Sequence, residues 1–229
     1  MNAASPTASA PQGDVLRPVR ATLAFAPELL LRAQGMRAAI FDVDGVLTDG
    51  RVYIGEHGET VKAFSTLDGH GLKLLALAGI APLIITGRDS LAVRRRVADL
   101  GLAHAVYGVH DKLTAACALL ATLGLAWPQV AVIGDDWPDL PLLARAGFAG
   151  APANAHAEVS AIADHVTAAR GGHGAAREFC DLLLVASGRY AALLHSHLET
   201  LDHSGAPLSP TFEREPSARR DSTKRKGAA

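Results

Sequence analysis

Cysteine is scarce in this 229-residue sequence, which contains only Cys117 and Cys180. The two lie far apart in apolar stretches, where a small hydrophobic side chain packs well, so no disulfide or cysteine-based metal site is expected. Long apolar runs of membrane-spanning length are also lacking, and residues 1–13 have neither the basic start nor the apolar core of a signal peptide. The sequence therefore predicts a protein of the reducing cytoplasm without a membrane partner.

An excess of charge of one sign is lacking as well, since 22 Lys and Arg residues stand against 23 Asp and Glu residues. Basic side chains are not concentrated on any helical face of the central region, which argues against nucleic acid as the main partner. Both ends of the chain differ from this region, because they are rich in Ala, Pro, Ser and charged residues. We expect residues 1–24 and 202–229 to be disordered tails around one globular domain at 25–201.

Short apolar runs alternate with helical patterns between these ends, which predicts an α/β fold with a mainly parallel sheet and helices on both faces. Strands are predicted at 38–41, 83–85, 105–109, 130–133, 148–151 and 165–167. Helices are predicted at 70–79, 90–100, 112–123, 139–146 and 154–163, with a last helix from 175 to about 201. Residues 51–54 and 59–64 alternate around a Gly-containing turn, which predicts a small β-hairpin inserted after the first strand.

Polar residues follow four of the predicted strands, at the edge of the sheet where ligands gather in open α/β folds. They are Asp42 and Asp44 after the first strand, Thr86, Gly87 and Arg88 after the second, Asp111 and Lys112 after the third, and Gly134, Asp135 and Asp136 after the fourth. Two carboxylates two residues apart would repel each other unless a cation neutralised them, and hard oxygen ligands favour Mg²⁺. Asp135 could complete such a site, while Thr86 and Lys112 could contact a phosphoryl group. Each residue taken alone could equally serve a turn or a helix cap.

The motif at 42–48, DVDGVLT, followed by Thr86, Lys112 and Asp135 in this order, resembles the haloacid dehalogenase superfamily of phosphohydrolases. More narrowly, FDVDGVLTDG, GETVKAFSTLDGHGL, IITGR, GDD and GGHGAAREFCDLLL resemble the 3-deoxy-D-manno-octulosonate 8-phosphate phosphatase family over residues 27–188. The resemblance implies a Rossmann-like fold without a cap domain. It also implies a Mg²⁺-dependent phosphatase that hydrolyses this sugar-acid phosphate in lipopolysaccharide biosynthesis, through an aspartyl-phosphate on Asp42.

The resemblance further implies a role for each matching residue. Asp42 would be the nucleophile and Asp44 the general acid and then the base, while Thr86 and Lys112 would contact the phosphoryl group. Asp42, the backbone carbonyl of Asp44, and Asp135 would bind Mg²⁺. The substrate would be contacted by Asp44, Ser65, Thr66, Leu67, Asp68, Gly69, Lys73, Gly87, Arg88, Arg96 and Lys112.

Members of the family form tetramers in which the hairpin and the C-terminal segment of one subunit help to close a neighbour's site. Residues 51–64 and 171–178 are the matching segments, so the resemblance implies a homotetramer. Leu67 and His173 stand where family members commonly carry Arg, which leaves open a related substrate such as a nonulosonate 9-phosphate. A non-catalytic oligomerisation module of the same fold is a further alternative, although such modules can lack the nucleophile or the acid and this chain has both.

Overall fold

The computed structural model describes residues 19–202, which form one six-stranded sheet and a separate hairpin. The strands are β1 (Ala38–Phe41), β2 (Tyr53–Gly55), β3 (Gly58–Val61), β4 (Ala81–Ile85), β5 (His104–Val106), β6 (Val130–Ile133), β7 (Phe148–Ala151) and β8 (His165–Val166). Six of them pair in parallel in the order β5-β4-β1-β6-β7-β8, and β2 pairs with β3 antiparallel. The predicted parallel sheet and the inserted hairpin are therefore confirmed.

Helices cover both faces of the sheet, as the alternating pattern predicted. They are α1 (Pro27–Arg32), α2 (Thr66–Leu77), α3 (Leu91–Leu100), α4 (Lys112–Leu123), α5 (Leu140–Leu143), α6 (Ala157–Ile162), α7 (Ala175–Ala186) and α8 (Tyr190–Asp202). Apolar residues of α2, α3 and α7 pack on one face, and those of α4, α5 and α6 pack on the other. Within residues 19–202, no helix combines the length and the apolar content needed to cross a bilayer.

The helix predictions need several corrections, and the helix predicted at 154–163 is shorter, at Ala157–Ile162. The last helix, predicted as continuous from 175, is interrupted between α7 and α8, where Gly188 adopts a left-handed backbone conformation with φ +70°. The apolar spacing continues on both sides of this break, so the pattern did not reveal it. The predicted helix at 139–146 is shorter because Asp139 belongs to a preceding 3₁₀ turn. Helix α1, which begins with Pro27, was not predicted.

The predicted tails lie largely outside the described residues. Of residues 1–24, the structure describes only 19–24, which form neither helix nor strand. Of residues 202–229, it describes only the last residue of α8. The domain limits of 25–201 therefore stay a prediction.

The order of the strands determines which loops meet. Phe41, the last residue of β1, is level with Ile84 of β4 and Ile133 of β6. Because all three strands run in the same direction, the segments that follow them emerge side by side at one edge. Strand β5 lies beyond β4 and adds the loop that leads into α4. The loops that follow β1, β4, β5 and β6 therefore lie next to one another at the carboxyl edge of the sheet.

Candidate active site

A cleft of about 410 Å³ opens at this edge of the sheet. It is lined by seven residues of the predicted site, namely Asp42, Asp44, Thr86, Gly87, Arg88, Lys112 and Asp135. His110 and Asp139 also line it, and neither was among the predicted site residues. The structure therefore brings together the polar groups that follow four separate strands.

The centre of the cleft is a group of carboxylates around one ammonium. Asp42, Asp135 and Asp139 each offer an oxygen, and these atoms all lie within 4.8 Å of one another. The Nζ atom of Lys112 lies 2.7 Å from Oδ1 of Asp42 and 2.7 Å from Oδ1 of Asp139. Three carboxylates thus face one cation, and the arrangement carries an excess of negative charge in a largely buried place.

Burial and mutual repulsion raise the pKa of two of these carboxyl groups, Asp42 and Asp135. Burial, aided by the charge of Asp139 and opposed by Lys112, raises the pKa of Asp42 from 3.8 to about 7. Burial together with the charges of Asp42, Asp139 and Asp136 raises the pKa of Asp135 from 3.8 to about 8. Burial alone would lower the pKa of Lys112, but the two carboxylates beside it outweigh this effect and raise it. A divalent cation placed among the carboxylates would favour their ionised forms.

The donor set fits Mg²⁺, which prefers hard oxygen ligands and keeps part of its water shell. Asp42 and Asp135, two of the three predicted metal ligands, lie in this group. Asp139 is the third carboxylate within reach, but Lys112 donates to its Oδ1 atom and the backbone N–H of Asp135 donates to its Oδ2 atom. Asp139 therefore holds Lys112 and the loop of Asp135 in place.

The raised pKa values predict how the metal-free protein responds to pH. Between about pH 4 and about pH 8 the folded carboxyl groups retain protons that the unfolded chain has released, so the free energy of unfolding should fall as pH rises. Mg²⁺ should displace these protons, so its stabilising effect should grow over the same interval. Thermal unfolding with a chelator and with Mg²⁺, across this range, measures both effects.

The variant Asp135→Asn provides the control for this experiment, because it lacks the carboxyl group with the most strongly raised pKa. Its metal-free stability should depend less steeply on pH, and Mg²⁺ should stabilise it less. A steeper loss of stability towards high pH in Asp135→Asn than in the unaltered protein would contradict the prediction.

Two glycines, Gly45 and Gly171, allow the backbone around Asp44 to pack closely against its neighbours. Gly45 has a φ of +97°, and a Cβ atom there would lie 2.0 Å from Oδ2 of Asp135. A Cβ atom on Gly171 would lie 1.7 Å from the carbonyl oxygen of Gly45. The side chain of Asn154 joins the two segments, since its Nδ2 donates to the Gly45 carbonyl and its Oδ1 accepts from Gly171 N–H. The loop before α7 thus supports the loop that carries Asp44.

The flanking loop after β4 places a hydroxyl and a cation on the cleft. Thr86 is buried, and its backbone is tied to the β5 side by N–H donation to Val106 and by a hydrogen bond accepted from Val109. Gly87 lines the cleft beside it, and a Cβ atom there would lie 3.6 Å from the Val109 carbonyl oxygen. The Arg88 side chain is 54% exposed, and its Nε atom lies 4.0 Å from Oδ2 of Asp44.

The remaining predicted substrate residues lie in a second group, outside the lining of the cleft. They are Ser65, Thr66, Leu67, Asp68, Gly69, Lys73 and Arg96, at the start of α2 and on α3. Ser65 caps α2 and its carbonyl accepts a hydrogen bond from Arg96. Asp68 accepts hydrogen bonds from the backbone of Gly174 and Arg177. Within one chain, the structure does not bring this group to the acidic centre.

Sequence reasoning missed two contacts of the site. Asp139 carried a detectable signal, because it lies four residues after Asp135 on the same loop, but an Asp at a helix start is also typical of a cap. Lys62, which forms an ion pair with Asp44, carried no such signal. It lies in the hairpin, 18 residues from Asp44, and nothing in the alternation there indicates which way it points.

The acidic group follows a middle strand of a parallel sheet, and a buried Lys and a Thr lie on neighbouring loops. This arrangement defines a haloacid dehalogenase-like hydrolase. The model of that family matches residues 106–179. The 3-deoxy-D-manno-octulosonate 8-phosphate phosphatase of Salmonella typhimurium is 44% identical over 163 residues, which are 71% of this chain and 87% of the relative. The chain belongs to this phosphatase family.

Solved structures agree with this placement. The 3-deoxy-D-manno-octulosonate 8-phosphate phosphatase from Moraxella catarrhalis, in complex with magnesium, phosphate and KDO, superimposes with a TM-score of 0.72 at 39% identity, covering 74% of this chain and 98% of that one. The cobalt-bound enzyme from Haemophilus influenzae superimposes with a TM-score of 0.68 at 42% identity, covering 69% and 93%. Both relatives therefore share the fold over nearly their whole length.

Proposed function

We propose that the chain is a Mg²⁺-dependent phosphatase that hydrolyses 3-deoxy-D-manno-octulosonate 8-phosphate to the free sugar acid and phosphate, within lipopolysaccharide biosynthesis. The observation that carries this proposal is the convergence of Asp42, Asp135 and Lys112 in one cleft of a chain that belongs to this family. The relative with magnesium, phosphate and KDO bound supports both the metal and the substrate class. The family also supports a cytoplasmic setting and a catalytic domain at residues 25–201.

The first half of the reaction transfers the phosphoryl group to the enzyme. Lys112 holds Oδ1 of Asp42, which leaves Oδ2 to attack phosphorus. The bond between phosphorus and the sugar oxygen breaks, and Asp44 donates a proton to that oxygen. The sugar acid leaves, and Asp42 carries the phosphoryl group as an aspartyl-phosphate.

The second half returns the enzyme to its starting state. A water molecule attacks phosphorus, and Asp44, now a carboxylate, accepts its proton. The bond between phosphorus and the Asp42 oxygen breaks, so phosphate is released and the carboxylate is restored. One residue thus serves as acid and then as base without a net change in protonation.

Positive charge and hydrogen-bond donors hold the phosphoryl group during both halves. Asp42, the backbone carbonyl of Asp44, and Asp135 would hold Mg²⁺, which would supply charge that offsets that of the phosphoryl oxygens. The Lys112 ammonium adds a second positive charge beside Asp42, and the Thr86 hydroxyl and the Gly87 backbone donate hydrogen bonds. Arg88, at the mouth of the cleft, suits the carboxylate of a sugar acid.

The second group of predicted substrate residues, from Ser65 to Gly69 with Lys73 and Arg96, would complete the site of a neighbouring subunit in a homotetramer. Their separation from the acidic centre within one chain supports this arrangement. The exposure of apolar hairpin side chains also supports it, since Tyr53, Ile54 and Val61 all lie at the surface of the single chain.

A related phosphosugar acid, such as a nonulosonate 9-phosphate, is the second candidate substrate. Leu67, which stands where the family commonly carries Arg, is 59% exposed and available to a neighbouring site. An apolar side chain there would remove one charged contact to the sugar acid. A non-catalytic module is disfavoured because Asp42, Asp44 and Lys112 meet in one cleft.

Ranking kcat/KM over a panel of phosphosugars with Mg²⁺ tests this proposal. We expect 3-deoxy-D-manno-octulosonate 8-phosphate to exceed hexose 6-phosphates, which lack the carboxylate, by at least about 10-fold, since a lost charged hydrogen bond costs about that much. It should also exceed a nonulosonate 9-phosphate, which keeps both charged groups, by a smaller factor. The matched variant Leu67→Arg should increase this preference. Phosphate release that is fastest from a neutral hexose phosphate would overturn the proposed substrate class.

A further inference from the structure

Lys62 is a buried lysine outside the predicted site. It follows β3, at the base of the hairpin, and its side chain is 0% exposed. Its ammonium forms an ion pair with Oδ1 of Asp44 and lies 3.3 Å from Oε2 of Glu59. Burying an ammonium is strongly unfavourable unless it is paired, so these two carboxylates account for its position.

The contact with Lys62 uses only one oxygen of Asp44. Oδ1 is bound to Lys62, whereas Oδ2 lies 4.0 Å from Nε of Arg88, a side chain that lines the cleft. Over the described part of the chain, Lys62 provides the one side-chain hydrogen bond to this carboxylate. Lys62 therefore determines the orientation of Asp44 and leaves its second oxygen available on the cleft side.

Lys62 is itself held by a network that reaches across the hairpin. Glu59 accepts a hydrogen bond from the Ser90 hydroxyl, and Nη1 of Arg88 lies 4.0 Å from Oε2 of Glu59. The carboxylates of Asp44 and Glu59 thus each lie between the same two cations, Lys62 and Arg88. With a partner on each side, the Lys62 ammonium has little freedom to move away from Asp44.

We propose that Lys62 is a positioning residue, which holds Oδ1 of the Asp44 carboxyl group so that Oδ2, which carries the proton in the first step, faces the leaving group of the substrate. Lys62 is absent from the lining of the cleft, so it acts through Asp44 and does not contact the substrate. The inference rests on the proposed function, because it concerns the acid of the same reaction. It adds a hairpin residue to the groups on which proton transfer depends.

The variant Lys62→Met tests the inference, because it removes the ammonium and keeps the length of the side chain. We expect the first phosphoryl transfer from the sugar-acid phosphate to slow by roughly 30-fold to 100-fold, with KM changed by less than about 3-fold. With p-nitrophenyl phosphate, whose leaving group needs little protonation, the burst of nitrophenolate should slow by less than about 5-fold. Loss of hairpin structure would instead slow both substrates equally.

A second experiment places Lys62→Met in an Asp44→Asn background. If Lys62 acts through Asp44, the double variant should match Asp44→Asn within about 2-fold for the first step. Thr60→Val is the matched hairpin control, because it removes the bond from Thr60 Oγ1 to the Tyr53 carbonyl and leaves the ion pairs in place. Any loss of rate that it causes should be the same for the two substrates, without the dependence on the leaving group expected for Lys62→Met.

Lys62→Gln replaces Lys62→Met if the latter does not fold, and it should show a smaller loss with the same dependence on the leaving group. Equal losses with the two substrates, or additive losses in the double variant, would overturn the inference. Failure of the unaltered protein to hydrolyse the sugar-acid phosphate would count against the proposed function instead. In that case an alkyl phosphate that the protein does hydrolyse takes the place of the sugar-acid phosphate, because its leaving group also needs a proton, and the comparison with p-nitrophenyl phosphate and the double variant decides the role of Lys62.

Discussion

Replacing Asp42 by Asn is expected to lower phosphate release by at least about 10³-fold, because in the proposed reaction the Asp42 carboxylate attacks phosphorus and a neutral carboxamide cannot replace it. The same change removes one of three crowded carboxylates. Repulsion on Asp135 should therefore weaken, and its pKa should fall from the value of about 8 in the unaltered protein. The metal-free variant should be at least as stable as the unaltered protein at neutral pH. Loss of activity without loss of stability is the expected signature.

Phosphate release and thermal unfolding, measured on the same samples, test both parts of this prediction. Asp111→Asn is a matched control, since Asp111 lies beside the cleft and caps α4 by accepting the Thr114 N–H at 3.0 Å. Asn caps helices as well as Asp does, so this variant should keep full activity. Turnover by Asp42→Asn within about 10-fold of the unaltered protein would exclude Asp42 as the nucleophile.

Replacing Lys112 by Met should damage both activity and stability. The Lys112 side chain is 5% exposed and pairs with two carboxylates, so its loss leaves Asp42 and Asp139 without their buried cation. Breaking a buried ion pair from one side costs about 3 kcal/mol of stability. In the proposed reaction the transferring phosphoryl group also loses a positive charge, which should lower kcat by roughly 10²-fold to 10³-fold.

Chemical denaturation and steady-state kinetics, each with and without Mg²⁺, measure these two losses. Mg²⁺ should recover part of the stability, because the ion offsets some of the charge that Lys112 balanced, but it should not restore kcat. The pattern contrasts with that expected for Asp42→Asn, in which stability is kept. Unchanged stability of Lys112→Met in the presence of a chelator would show that the carboxylates do not depend on this cation.

Much of the fold could be predicted because local signals agreed with the tertiary structure. The strands at 38–41, 130–133 and 148–151 match the observed bounds, since each is a short apolar run buried on both faces. Helix α4 matches as well, with Asp111 as its cap and Gly124 in a left-handed conformation at its end. Helix α2 begins earlier than predicted because Ser65 caps it and accepts the Asp68 N–H.

The candidate site was predictable to the extent that its groups follow strands. Asp42, Asp44, Thr86, Lys112 and Asp135 all leave the carboxyl ends of parallel strands, and the structure places all five on one cleft. Asp139 was harder to recognise, because an acidic residue at a helix start has a common structural explanation. Lys62 could not be found from spacing, since its contact with Asp44 depends on how the hairpin folds back over the first loop.

The amino-acid sequence by itself determined the alternation of strands and helices and the polar residues that end each strand, because both depend on periodicity and turn chemistry over a few residues. Only the tertiary structure decided that β1 lies between β4 and β6, which is a matter of long-range pairing. That order brings Asp42, Asp135 and Lys112 within reach of one another. The burial that raises the pKa of Asp42 and Asp135 follows from the same packing, and no local pattern encodes it.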